Sequence, residues 1–96
     1  MFKYETHLHT VYGSACASIS GRGQAIEYHR AGYSGIFITD HFFRGNTCIS
    51  KALPWDERIH MFCRGYEQAK EVGDEIGLQV FFGWEETFDG QDFLIY

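Results

Sequence analysis

Apolar residues recur along this chain with two periods, one near two and one near 3.6, and the switches between them outline its architecture. Phe2 to Leu8 predicts a strand, with His7 and His9 on one face and Leu8 on the other. The small, polar stretch TVYGSACASISGRG predicts a loop, and QAIEYHRAGYSG a short helix with Ala25, Ile26 and His29 on one stripe and Gly32 as its stop. GIFITDH is β-branched and aromatic, bounded by Gly35, and predicts a short buried strand. FFRGNTCISKAL reads as a second loop. Pro54 suits the first turn of a long helix, where Asp56 and Glu57 complement the positive end of the helix dipole. Ile59, Phe62, Cys63, Tyr66, Ala69 and Val72 give that helix one apolar stripe to about Ile76, and Gly77 ends it. LQVFFGWEE predicts a third strand, with Phe81, Phe82 and Trp84 in the core; Asp89-Gly90 is a turn signal and DFLIY begins a fourth strand.

Strands alternating with helices imply an α/β fold built on a parallel sheet with right-handed crossovers. The sequence reaches Tyr96 inside an apolar strand, and a bare apolar edge invites pairing with another chain. The expectation is therefore that residues 1–96 are the first part of a larger single domain. The alternative is a small module whose last strand is covered by self-association.

Composition narrows the function. A net charge of −5 and no basic run argue against direct binding to nucleic acid or an anionic membrane. No apolar stretch approaches the roughly 20 residues that span a bilayer, and MFKYETHLHT lacks the apolar run that opens a secretion signal. Cys16, Cys48 and Cys63 form no CxxC pair and leave an odd thiol, which fits a reducing compartment; the cytoplasm is the expected location.

Ligands of parallel α/β folds bind beyond the carboxyl ends of the strands, and there the polar residues of this chain collect. His7 and His9 close the first strand, Asp40 and His41 the second, Glu85 and Glu86 the third. Residues two apart on a strand point the same way, about 6.5 Å apart, so two imidazoles can converge on one cation at about 2.0–2.1 Å each. Mixed imidazole and carboxylate donors suit Zn²⁺, Mn²⁺ or Fe²⁺ without choosing among them. Taken singly, each motif also has a plain reading as packing, a helix cap or a solvated turn; three at consecutive strand ends point to a divalent-metal site. His29 and His60 lie on helices away from the strand ends and are read as structural. Phe42 and Phe43 could shape a pocket, with Arg44 as an anion contact that binds substrate.

HLHT, GIFITDH and FFGWEE, in this order and spacing, resemble the N-terminal part of the PHP (polymerase and histidinol phosphatase) superfamily, from His7 to at least Glu86. The resemblance implies a distorted seven-stranded TIM-like β/α barrel with two or three divalent metals at its C-terminal mouth, hydrolysing phosphomonoesters or phosphodiesters. It implies that His7 and His9 hold one metal, that Glu85 bridges two, and that His41 ligates another. Asp40 would be a ligand or an outer support that orients a histidine; Asp40 and Glu85 are the implied catalytic residues. Where the family places a His or Asp in the loop after HxH, this chain has Ala15, with Cys16 or Ser14 as stand-ins for a third site. Its later motifs, ending in an Asp-x-His pair, have no counterpart in these residues. The implied substrate is a phosphorylated small molecule or nucleotide-like ester. A non-catalytic metal-binding module is the main rival; an amidohydrolase-type enzyme, which also begins with HxH, is a weaker one, because TDH and a strand-three Glu favour PHP.

Overall fold

The computed structural model describes residues 2–96. Leu8, Ile36, Ile38, Leu78 and Val80, each no more than 7% exposed, form the apolar face of a sheet and close against Ala25, Ala69 and Val72 of two helices. The elements run β1 (Tyr4–Leu8), α1 (Gly21–Arg30), β2 (Gly35–Ile38), α2 (Trp55–Ile76), β3 (Gln79–Phe82), β4 (Trp84–Phe88) and β5 (Gln91–Ile95). Strands β1, β2 and β3 lie side by side in that order and are parallel, as the alternation of strand and helix implies. Fully burying five aliphatic side chains on one face stabilises the sheet by about 1.5–3 kcal/mol each.

Local signals explain the helices. The Ser20 side chain accepts from the Gly23 amide and caps α1. Its buried stripe is Ala25 with the half-buried Ile26 and Tyr28, while His29 faces solvent. Pro54 stands at the N-cap of α2, one residue before the position its fixed φ suits, and Gly77 ends the helix in the left-handed region at φ 83°. The inward stripe of α2 keeps Phe62, Ala69 and Val72 but includes Gly65 and Gly73, which the apolar pattern passes over. Gly65 is a contact point: a Cβ on Gly21 of α1 would run into its carbonyl oxygen, and a Cβ on Gly65 itself would collide with Thr10 Oγ1 and stand 2.9 Å from Asp40 Oδ2.

LQVFFGWEE is two strands rather than one. The chain bends at Gly83, where a Cβ would meet the Ile95 carbonyl at 2.6 Å. Beyond the bend, β4 turns at Asp89-Gly90, both at positive φ (52° and 75°), and pairs antiparallel with β5 as a hairpin. Parallel bonding nonetheless continues past the formal ends of β2 and β3: the amides of Gly83 and Glu85 donate to the carbonyls of Ile38 and Asp40, and Phe42 N donates to Glu85 O. The expectation of a buried aromatic run fails in part. Phe81 and Phe82 are each 39% exposed; Phe81 stacks on Phe37, on the sheet face turned away from the helices. Strand β5 is the outer strand of its hairpin, with Phe93 and Leu94 exposed. Among the described residues no helix is long and apolar enough to cross a membrane.

Gly65→Ala therefore forces a methyl group between α2 and the loop after β1. Overpacking at a site with no give costs about 3 kcal/mol, whereas Gly77→Ala, strained only in φ with nothing near its Cβ, costs about 1 kcal/mol. Urea unfolding of the two variants ranks them in that order.

Candidate metal centre

The histidine pair owes its direction to an irregularity in β1. Glu5 pairs with Ile36 and Leu8 with Ile38, so Thr6 and His7 together occupy the place opposite Phe37. This bulge restores Leu8 to the helix-covered face, where it is buried, and leaves His7 on the open one. A regular strand to His9 was the expected route to an HxH pair; β1 ends at Leu8, and the pair converges anyway. His7 Nε2 and His9 Nε2 are 3.2 Å apart, and Glu85 Oε1 stands 2.6 Å from the first and 2.9 Å from the second.

Glu85 is carried to this point by β4, whose bridge to His41 continues the parallel pairing. It is 6% exposed. Its second oxygen, Oε2, faces His41 Nδ1 at 3.8 Å. His41 is itself 7% exposed, and that Nδ1 is buried with no hydrogen-bond partner. Burial lowers the His41 pKa below its ordinary value against the opposing pull of Glu85. Gly45 makes room here, since a Cβ on it would meet Thr87 Oγ1 at 2.6 Å and His41 Nδ1 at 3.2 Å.

Among the described residues three groupings of donor atoms result: His7, His9 and Glu85; His41, Glu85 and Asp92; and His9, Cys16 and His41. Neighbouring ligands of a tetrahedral cation with bonds of about 2.0–2.1 Å lie about 3.3 Å apart. The 2.6–3.2 Å triangle of His7, His9 and Glu85 matches after opening by about 0.7 Å on its shortest edge and less on the other two. The donor types, the shared carboxylate and the orphaned His41 nitrogen all fit divalent cations.

Asp40 lies outside these groupings. It is 1% exposed, and its carboxylate accepts from the Thr10 amide, from Thr10 Oγ1 at 2.7 Å and from Ser14 Oγ at 2.9 Å. Ser14 Oγ in turn accepts from the His41 amide at 2.9 Å. Asp40, the residue before His41, thus ties the end of β2 to Thr10 and Ser14 in the loop after His9, and its side chain is hydrogen-bonded to no imidazole. Desolvation raises its pKa, outweighing the hydrogen bonds from Thr10 and Ser14 that lower it. Arg44 is exposed and stands apart from the cluster, lining a cleft of about 500 Å³ with Phe43, Trp55, Arg58 and Phe88. Glu86 points to that cleft rather than to the histidines. His29 and His60 fall in none of the groupings.

Asp92 escaped the sequence reading. It pairs with Thr87 across the hairpin, whose Oγ1 donates to Asp92 Oδ1 at 2.6 Å, a bond that lowers the Asp92 pKa. Asp92 follows a turn by two residues, and only the hairpin register places it beside Glu85. Thr10 was visible in HLHT, but nothing in the pattern paired it with Asp40.

Fold and site together define an α/β unit with a candidate divalent-cation centre at the carboxyl ends of its parallel strands. No family model matches the chain, and no curated protein matches it. A solved structure does: a crystal structure from Bifidobacterium adolescentis of a "putative metal-dependent phosphoesterase" superposes on 97% of this chain with a TM-score of 0.64 and 21% sequence identity. This chain spans 26% of that one, and at that identity the likeness is one of fold.

Removing the Asp40 carboxylate strands the Thr10 amide and two hydroxyls in a dry place. Each orphaned group costs about 1–3 kcal/mol, so Asp40→Ala loses at least about 3 kcal/mol in urea unfolding. A second expectation concerns pH. The unfolded His41 takes up a proton near 6.5 that the folded ring, with its lowered pKa, resists. In chelator, stability present above pH 6.5 is lost as pH falls below it, with a His41 share of up to about 1.4 kcal/mol per pH unit. His41→Gln flattens the profile by that share.

Proposed function

We propose that this chain is the metal-binding portion of a phosphoric ester hydrolase of the PHP type, acting on a phosphomonoester or phosphodiester. The convergence of His7, His9 and Glu85 on one point carries the reading. The fold shared with the Bifidobacterium protein, a "putative metal-dependent phosphoesterase", supports it. In this reading β1, β2 and β3 are opening strands of a β/α barrel, whose sites gather at the carboxyl ends of the strands. The parallel order of the three strands, with the donor residues just beyond them, is what such a barrel requires.

The residues divide the work. His7, His9 and Glu85 would hold one cation, and His41, Glu85 and Asp92 would hold a second, Glu85 belonging to both groups. Zn²⁺, Mn²⁺ and Fe²⁺ suit these donors. When bound, such cations activate water and neutralise charge on the phosphoryl oxygens. Glu85 keeps the two positions close, which is its catalytic role here. Asp40 acts at one remove, holding the backbone on both sides of the cluster. Arg44, with Arg58 in the same cleft, would meet an anionic part of a phosphorylated small molecule or nucleotide-like substrate away from the scissile group. The free outer edge of β5 is available for self-association.

The test is metal analysis of the purified chain together with hydrolysis of p-nitrophenyl phosphate and its diester in added Mn²⁺ or Zn²⁺. Wild type binds metal and turns over slowly, and His9→Ala loses at least about 100-fold in rate, as removal of a ligand at the reacting centre does. Equal rates for the two overturn the hydrolase reading; bound metal without turnover assigns a non-catalytic metal module instead.

A further inference from the structure

Cys16 belongs to neither the His7, His9 and Glu85 group nor the His41, Glu85 and Asp92 group, yet it touches the ring of His9. His9 turns Nε2 towards His7 and Glu85, and its other nitrogen, Nδ1, is 3.4 Å from Cys16 Sγ. A histidine that ligates through Nε2 carries its proton on Nδ1, and ligating histidines almost always pass that proton to an acceptor that fixes the ring. The acceptor is commonly an oxygen. Here it is sulfur. The backbone of His9 is already fixed, because its carbonyl accepts from Gln24 Nε2 at 2.9 Å and the next amide donates to Asp40. Only the rotation of the ring is left to settle, and Cys16 stands where it can settle it.

A second observation marks the same place as a ligand site. His41, 7% exposed and with its Nδ1 unpartnered, has its ring 4.4 Å from that of His9. It shares a grouping with His9 and Cys16 whose donor atoms lie within 4.8 Å of one another. The sulfur meets His9 at Nδ1, the nitrogen opposite the one that faces His7 and Glu85. The other thiols are placed differently: Cys48 Sγ donates to the Val11 carbonyl at 3.3 Å, and Cys63 is half-buried on α2.

We propose that Cys16 is a positioning residue for the cation site: its sulfur accepts the His9 Nδ1 proton and holds the ring with Nε2 towards the cation shared with His7 and Glu85. This rests on the metal-binding reading of the cluster.

Cobalt(II) titration of the whole chain, followed by absorption, tests it on wild type, Cys16→Ala, Cys16→Ser and Cys48→Ser. Cys16→Ala weakens cobalt binding about 10–100-fold, the usual effect of losing such a partner. Cys16→Ser stays within about threefold of wild type, because a hydroxyl can accept the same proton, and Cys48→Ser matches wild type. In the zinc-loaded, nitrogen-15-labelled protein, the His9 Nδ1 proton is protected from exchange in wild type and Cys16→Ser and is lost to solvent in Cys16→Ala. Circular dichroism confirms that the variants fold. Equal affinities for wild type and Cys16→Ala overturn the positioning role while leaving the metal site standing. A thiolate-to-cobalt charge-transfer band in wild type, absent without Cys16, overturns it in favour of direct ligation. Failure of wild type to bind cobalt overturns both readings.

Discussion

A single buried carboxylate holds this molecule's two working loops together. Asp40 receives the Thr10 amide, the Thr10 hydroxyl and the Ser14 hydroxyl, and Ser14 passes the connection to the His41 amide. The loop after β1 and the turn after β2 are thereby fixed to each other at the end of the sheet. The arrangement depends on absent atoms as much as on present ones. Gly65 lets α2 lie directly against Thr10 and Asp40, and Gly13 leaves space where a Cβ would stand 2.6 Å from Asp40 Cβ. A carboxylate taken out of water is expensive, and three donors make its burial tolerable. That cost keeps two loops from drifting at the place where His9 and His41 must face a common partner.

Around that anchor the chain concentrates imidazoles on one buried carboxylate. His7 and His9 meet one oxygen of Glu85 and His41 faces the other, at 2.6, 2.9 and 3.8 Å. His7 and His9 lie within hydrogen-bond reach of that carboxylate, whereas the buried His41 Nδ1, at 3.8 Å, is left without a partner. A cation among His7, His9 and Glu85, and a second among His41, Glu85 and Asp92, would let each imidazole offer a lone pair instead of competing for an acceptor. The bulge in β1 serves the same end: it takes Leu8 into the core and leaves His7 outside it, which a regular strand cannot do with the pairing observed on either side.

Much of this was readable in the residues. The first two strands, most of both helices and the stop at Gly77 follow from apolar period and turn chemistry, and they locate the segments near whose ends His7, His9, His41 and Glu85 gather. What was not readable depends on approach between distant segments. Gly65 sits in a helix stripe as an apparent gap, and only the meeting of α1, α2 and the Thr10 loop explains it. Gly83 divides an apolar run that propensity reads as continuous, because the hairpin's return strand needs the space. Asp92 joins the cluster through cross-strand register, and Asp40 turns inward to hydroxyls that no spacing rule pairs with it. Phe81 looked like core by composition, yet it lies on the sheet face that the helices leave uncovered.

The most direct measurement is anomalous scattering from crystals of the chain grown with saturating Zn²⁺ or Mn²⁺. A peak within about 2.0–2.3 Å of His7 Nε2, His9 Nε2 and Glu85 Oε1 together, with Asp40 still bound by Thr10 and Ser14, is the expected result. Saturating metal with no peak among those three atoms, or a peak bound elsewhere while the three side chains point apart, would contradict it.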